Sequence, residues 1–181
     1  MSNKTVLGID FGWTICKIIN GRQKNLAAEM QPNFLENPFV DGAPEVIKEL
    51  VEVIGAKNMH IVSKADLLSE IHIKDWLRVN GFWTLTGMIP YDDHLHFCRE
   101  RKEKAAICEK LGITHFIDDR LEVLYHLRSV PTRLALNPRR EDPDEVPFFR
   151  KMKDEDWGSP FPIQIAQNWI EAKRFIFLSM L

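Results

Sequence analysis

The sequence predicts an α/β fold of three layers, with a mostly parallel sheet held between helices. Short apolar segments alternate with amphipathic ones along most of the chain, as successive βα units require. Three of the apolar segments end in polar or charged residues, at Asp10, at Ser63-Lys64 and at Asp118-Asp119. Ligands of open parallel sheets bind beyond the carboxyl ends of the strands, so residues delivered to that edge read as a site.

The elements follow in order. Val6-Leu7-Gly8-Ile9 is a first strand that runs into Asp10. Ile15–Asn20 is expected to form a short second strand, with Asn20-Gly21 turning the chain back. Residues 21–42 are punctuated by Pro32, Pro38 and Gly42 and read as irregular. A helix follows, with Pro44 suited to its first turn and Val46, Ile47, Leu50, Val51 and Ile54 on one face. Strand 58–63 leads into a helical stretch through Leu67, Leu68, Ile71, Trp76 and Leu77, which Asn80-Gly81 should end. Phe82–Gly87 reads as a strand, then a turn around Pro90, a strand at 94–98 and a helix at 101–111 stopped by Gly112. Strand 114–118 precedes a helix carrying Leu121, Val123, Leu124 and Leu127, and Arg133–Asn137 is expected to be the last strand.

The tail differs in composition. Residues 138–160 mix Pro with charges of both signs and read as a solvated loop, although Phe148, Phe149 and Trp157 suggest some docking. Residues 161–181 read as a packing helix, with Ile163, Ala166, Ile170 and Phe177 spaced for one face. The expected division is therefore an α/β core over residues 1–137, and a charged loop with a C-terminal helix over 138–181. No internal repeat or low-complexity tract stands out.

Bulk properties bound the function. A chain of 181 residues buries one sizeable core, and 45% apolar with 28% charged residues is ordinary for a globular protein. A formal net charge of -2 argues against electrostatic binding of nucleic acid. An odd set of cysteines (Cys16, Cys98, Cys108) and an amino terminus without an apolar leader point to a reducing, cytoplasmic setting. No uninterrupted apolar stretch approaches membrane-spanning length.

The chemistry concentrates at the strand ends. Adjacent carboxylates such as Asp118-Asp119 raise each other's pKa unless a cation compensates them. A hard divalent ion such as Mg²⁺, which takes oxygen ligands, is the usual compensator. The plainer reading is an acidic turn capping the helix near Leu121. Asp10, at the end of another strand, favours the metal. Ser63, with a helix starting near Asp66, would suit a phosphate oxygen.

Other constellations carry less. His94, His96 and Cys98 would share one strand face beside Asp92 and Asp93, a possible transition-metal set. No second His/Cys pair lies at zinc spacing, so a half-buried strand is the expectation. No local signature supports Cys98 or Cys108 as a nucleophile. Trp13 suits either a substrate ring or the core, His60 reads as a strand residue, and His72 as a helix-surface residue.

The order of these strand ends resembles the haloacid dehalogenase (HAD) superfamily of Mg²⁺-dependent phosphohydrolases over roughly residues 4–137. Its first motif, Asp-x-Asp-x-(Thr/Val), reads Asp10-Phe11-Gly12-Trp13-Thr14; its second matches Ser63; its third, a lysine, best fits Lys104, with Lys102 and Lys110 as rivals; its fourth matches Asp118-Asp119. The resemblance implies a Rossmann-like core with a small or absent cap. It also implies that Asp10 is the nucleophile, forming an aspartyl-phosphate, and that Ser63 and Lys104 hold the phosphoryl oxygens. Mg²⁺ would be held by Asp10, Asp118, Asp119 and the backbone carbonyl at position 12.

One position departs from the pattern. The second Asp of the first motif, which protonates the leaving group and later activates water, is Gly12 here. Such general acid–base help typically supplies about 10²–10⁴-fold in rate. The resemblance thus admits a phosphomonoesterase, or a protein that binds a phosphorylated ligand or partner without turnover. The partner expected is a phosphorylated small molecule or macromolecule. Cap intervals of roughly 15–42 and 65–93 are short, which leaves the site open to a bulky phosphate ester unless the charged tail covers it. Leu7–Ile18 also resembles the Asp-x-Gly-x-Thr phosphate loop of actin-like sugar kinases, a reading that leaves Asp118-Asp119 unexplained.

Overall fold

The computed structural model describes residues 4–19, 33–90, 93–139, 142–153 and 162–181. Six strands, β1 (Leu7–Ile9), β2 (Met59–Lys64), β3 (Leu95–Cys98), β4 (His115–Asp118), β5 (Thr132–Leu136) and β6 (Ile163–Ala166), form one sheet. All pairings are parallel and the order is β3-β2-β1-β4-β5-β6. The direction of winding reverses between β1 and β4, and a crevice opens there at the carboxyl edge.

Among the described residues seven helices cover the two faces: α1 (Ala43–Ile54), α2 (Leu67–Val79), α3 (Phe82–Thr86), α4 (Lys104–Leu111), α5 (Leu121–His126), α6 (Val146–Lys153) and α7 (Trp169–Ser179). On one face Leu7, Ile9, Ile61 and Ile117 pack with Ile47 and Leu50 of α1, Trp76 and Leu77 of α2, and Trp169 and Ile176 of α7. On the other Val62, Phe116 and Ala135 pack with Cys108 of α4 and Leu121 and Leu124 of α5. Alternate strand residues thus face opposite layers, which is why the apolar runs are nearly continuous.

Local chemistry sets the helix ends. The Ser69 N–H donates to Asp66 Oδ1 (2.8 Å) at the start of α2, and the Glu171 N–H donates to Asn168 Oδ1 (3.0 Å) at the start of α7. Gly112 takes a left-handed φ of 64° to end α4. Within β1, an added Cβ on Gly8 would lie 2.5 Å from the Phe116 ring, so only glycine fits between the strands.

Four sequence expectations are corrected. Residues 15–19 form no strand; Cys16 makes only isolated bridges to Gly12 and Phe39, with Lys17 N–H on Pro38 O and Val40 N–H on Ile15 O. Phe82–Thr86 is helical despite its aromatic and β-branched residues. It lies in the crossover from β2 to β3, with Phe82 buried against the core and Thr86 Oγ1 donating to Phe82 O (2.9 Å). Ile163–Ala166 is the edge strand β6, pairing Ile163 with Arg133 and Ala166 with Leu136, so Arg133–Asn137 is not the last strand and the helix begins only at Trp169. Spacing of three between Ile163 and Ala166 mimicked one helical turn. The tail is not a solvated loop throughout: α6 occupies 146–153, Asp142 and Glu145 are buried, and Phe148 and Phe149 pack on the α5 side. The Asn20-Gly21 turn, residues 20–32 of the first cap interval, Asp92 and Trp157 lie outside the described residues. The second cap interval is built from α2 and α3, whose Ile73, Trp76 and Phe82 belong to the main core.

Cys16, Cys98 and Cys108 are all buried. Among the described residues no helix is long and apolar enough to cross a membrane.

Candidate active site

Asp10 follows β1 directly and Asp118 is the last residue of β4, so the two central strands place their carboxylates on either side of the crevice. The Asp10 N–H donates to Ile117 O (2.9 Å), which ties the two strand ends together. Asp119 completes a buried group: ligand oxygens from Asp10, Asp118 and Asp119 all lie within 4.8 Å of one another.

Lys104 is the first residue of α4 and is buried. Its Nζ donates to Asp10 Oδ1 (2.5 Å) and to Asp118 Oδ2 (2.8 Å) and sits 5.5 Å from the centre of the Phe116 ring. A capping box at the preceding turn, in which Glu103 Oε2 accepts from the N–H groups of Arg99 and Glu100, aims the helix start at the carboxylates. The rivals lie elsewhere: Lys102 is exposed and pairs with Glu100, and Lys110 is exposed in the last turn of α4.

The electrostatics follow from burial. Burial alone would favour the neutral amine of Lys104, yet Asp10 and Asp118 outweigh it and its pKa is raised. Asp118 is pushed up by burial, and next by Asp10, while Lys104 opposes. Asp119 is pushed up by burial and by Asp10, against Arg139 and Arg120. Three buried, clustered carboxylates are the donor set a hard divalent cation takes. The residues present fit Mg²⁺: oxygen ligands only, crowded negative charge, and an adjacent Gly12 backbone lining the same cleft.

That cleft has a volume of about 260 Å³ and is lined by Asp10, Gly12, Ser63, Lys104, Asp118 and Asp119 together with Trp13, Lys64, Asp66, Arg101, Arg120 and Arg139. Ser63, at the end of β2, is brought to the same place as sequence order implied. Trp13 holds a left-handed φ of 60° and carries the Arg139 guanidinium over its ring at 5.2 Å. It lines the cleft and, half-buried, also packs against the main core. Gly12 leaves space: a Cβ there would first meet the Ile18 side chain at 3.6 Å.

Sequence reasoning missed the arginines. Arg139 donates to Asp119 Oδ2 (3.1 Å). Arg120 pairs with Asp142 (3.6 Å) and Glu145 (3.4 Å), while Glu145 Oε2 accepts the Leu121 N–H (2.7 Å) that opens α5. The signal was present, because Arg139 lies just beyond the carboxyl end of β5, the edge already singled out for the other strands. The His94-His96-Cys98 alternation forms no metal group among the described residues. Instead His60 stacks on His94 (4.9 Å) and its Nδ1 lies 3.3 Å from His96 Nε2, while His94 Nδ1 contacts Met59 O.

The six-stranded parallel sheet with helices on both faces is similar to the fold of haloacid dehalogenase-like proteins. A crystal structure from Burkholderia xenovorans, provisionally described as a haloacid dehalogenase-like hydrolase, superposes with a TM-score of 0.54 at 14% identity, covering 84% of this chain and 64% of that one. A protein of Oceanobacillus iheyensis, provisionally named a nucleotidase, is 28% identical over 124 residues, 68% of this chain and 60% of the relative. The chain thus spans less than two thirds of the length of either. No protein-family model matches it.

Proposed function

We propose that the chain is a Mg²⁺-dependent phosphohydrolase acting through Asp10. The observation that carries the reading is the Lys104 ammonium held between Asp10 (2.5 Å) and Asp118 (2.8 Å), with Asp119 beside them, in an open cleft at the switch point of the sheet. Asp10, Asp118 and Asp119 would hold the ion with the Gly12 carbonyl. Bound there, Mg²⁺ supplies positive charge where three carboxylates and a phosphoryl group meet.

The chain's own residues divide the remaining work. Asp10 attacks phosphorus in line with the departing oxygen and becomes an aspartyl-phosphate. Lys104 neutralises part of the charge around it and, with Ser63, holds the phosphoryl oxygens by positioning and electrostatics. Arg139 orients Asp119 by its hydrogen bond and packs on Trp13 at the mouth. A nucleotide, the substrate class in the relative's name, could place its base on the Trp13 wall. The kinase reading has no role for the Lys104 bridge and is set aside.

A second reading, binding of a phosphorylated ligand or partner without turnover, is favoured by Gly12 alone. Mg²⁺-dependent release of phosphate from an aryl phosphate separates the two, compared between the native chain and Asp10→Asn. Turnover that disappears in Asp10→Asn supports the hydrolase; a silent native chain that still binds inorganic phosphate supports the binder.

A further inference from the structure

Every carboxylate of the cluster has an oxygen already engaged. Asp10 Oδ1 accepts from Lys104 Nζ (2.5 Å), Asp118 Oδ2 from the same ammonium (2.8 Å), and Asp118 Oδ1 from the Arg120 N–H (2.9 Å). Asp119 Oδ2 accepts from Arg139 (3.1 Å). An ion gripped by both oxygens of one carboxylate would compete with these hydrogen bonds. For Asp10 and Asp118 the donors are a buried ammonium and a backbone N–H, which cannot turn away. Asp119 alone depends on a long side chain, one that arrives from beyond the carboxyl end of β5.

Trp13 holds that side chain in place. The Arg139 guanidinium lies 5.2 Å from the centre of the indole ring, an attractive cation–π geometry. Its Nε is buried without a hydrogen-bond partner among the described residues, and Asp142 Oδ2 is 4.0 Å from its Nη2. Trp13 takes this position with a left-handed φ of 60°, which a bulky residue rarely adopts, and its N–H donates to Cys16 O (2.8 Å). Asn137, two residues before Arg139, is also left-handed (φ 42°), a conformation that asparagine tolerates far better than tryptophan. Backbone strain kept beside a site points to a role in that site.

We propose that Trp13 and Arg139 set which divalent ion the site prefers. Arg139 is the specificity-determining residue: by occupying Asp119 Oδ2 it leaves Asp119 one oxygen to offer. Trp13 is the positioning residue that keeps it there. Single oxygens suit the strict octahedral shell of Mg²⁺, whereas Ca²⁺ takes about six to eight oxygens and accepts carboxylates through both of theirs. The proposal rests on the reading above that Asp119 helps to hold Mg²⁺.

The test measures Mg²⁺ and Ca²⁺ dissociation constants by calorimetry in the native chain, Trp13→Ala, Trp13→Phe and Arg139→Met, with urea midpoints alongside. The ratio of the two constants is the readout, because a change of charge beside Asp119 acts on both divalent ions alike. The native chain should prefer Mg²⁺. That preference should fall at least about tenfold in Arg139→Met, the lower end for removing the partner of a metal ligand, and comparably in Trp13→Ala. Trp13→Phe keeps a ring face for the guanidinium and should restore the native ratio. A role for Trp13 in packing alone would lower the urea midpoint of Trp13→Ala and leave the ratio unmoved, which overturns its part in the proposal. Arg139→Met carries the test if Trp13→Ala does not fold. A native chain that prefers Ca²⁺, or an unchanged ratio in Arg139→Met, overturns the proposal while the Mg²⁺ reading of the site stands. A native chain that binds neither ion overturns that reading and this proposal with it.

Discussion

Replacing Lys104 by Met isolates the charge that holds the site together. The ammonium lies 2.5 Å from Asp10 and 2.8 Å from Asp118, and all three groups are buried. At an effective dielectric near 20, each such contact is a gross attraction of about 6 kcal/mol. The net cost is smaller, because burying Lys104 already opposes its charge. Removing one partner of a buried pair costs about 3–5 kcal/mol, since the remaining carboxylates are left uncompensated.

Lys104→Met should therefore lose about that much stability at pH 8 without divalent ions, read as the urea midpoint multiplied by the slope. The loss should shrink at pH 5.5. Asp118 and Asp119 already have folded pKa values raised above their unfolded ones, so their penalty is absent below the unfolded values and grows as pH rises through the folded ones. Without Lys104 that penalty extends further, and Mg²⁺ or a second change, Asp118→Asn, should recover part of it. A Lys104→Met protein within about 1 kcal/mol of native at pH 8, where a surface pair would leave it, would refute the view that Lys104 compensates these carboxylates.

Gly8→Ala should cost about 2 kcal/mol in urea unfolding, because its Cβ would meet the buried Phe116 ring at 2.5 Å. A neutral variant would show that β1 and the ring can part. Burial, followed by His94 and His96, holds the His60 pKa down to about 4, and burial alone does the same to His115. The unfolded chain binds more protons between about 4 and 6.5, so stability should fall as pH drops through that window. Urea midpoints check this, and an unflattened slope in His60→Leu would exclude His60 as a contributor.

Where sequence and structure agree, one physical signal pointed one way. Asp10, Ser63 and Asp118 each close an apolar run too short to be anything but a strand, and parallel pairing then brings them to a single edge. Gly112 and Asn80 ended helices as turn chemistry predicts. Two signals conflicted where the reading failed. Phe82–Thr86 has strand composition, but its place in a crossover and glycines with left-handed φ at both ends (67° at Gly81, 74° at Gly87) favour a helical turn. Ile163 and Ala166 fit either period, and the decision came from β5 offering an open edge. Burial of Lys104 could not be read at all. A lysine in that sequence looks solvated, and only its two carboxylate partners, 94 and 14 residues away, make its burial tolerable.

The charged tail shows the same dependence on partners. Composition marks residues 138–160 as solvent-facing, and isolated from the rest they would be. Asp142 and Glu145 are nevertheless buried, because Arg120 meets both and Glu145 also satisfies the N-terminal N–H of Leu121. Arg120 directly follows Asp119, and Arg139 bonds Asp119 itself. Acidic and basic residues on the two sides of position 137 thus complete one network around the carboxylate cluster. A boundary drawn there from composition cuts through the site: residues before it supply Asp10, Lys104, Asp118, Asp119 and Arg120, and residues after it supply Arg139, which bonds Asp119, and Glu145, which caps the start of α5.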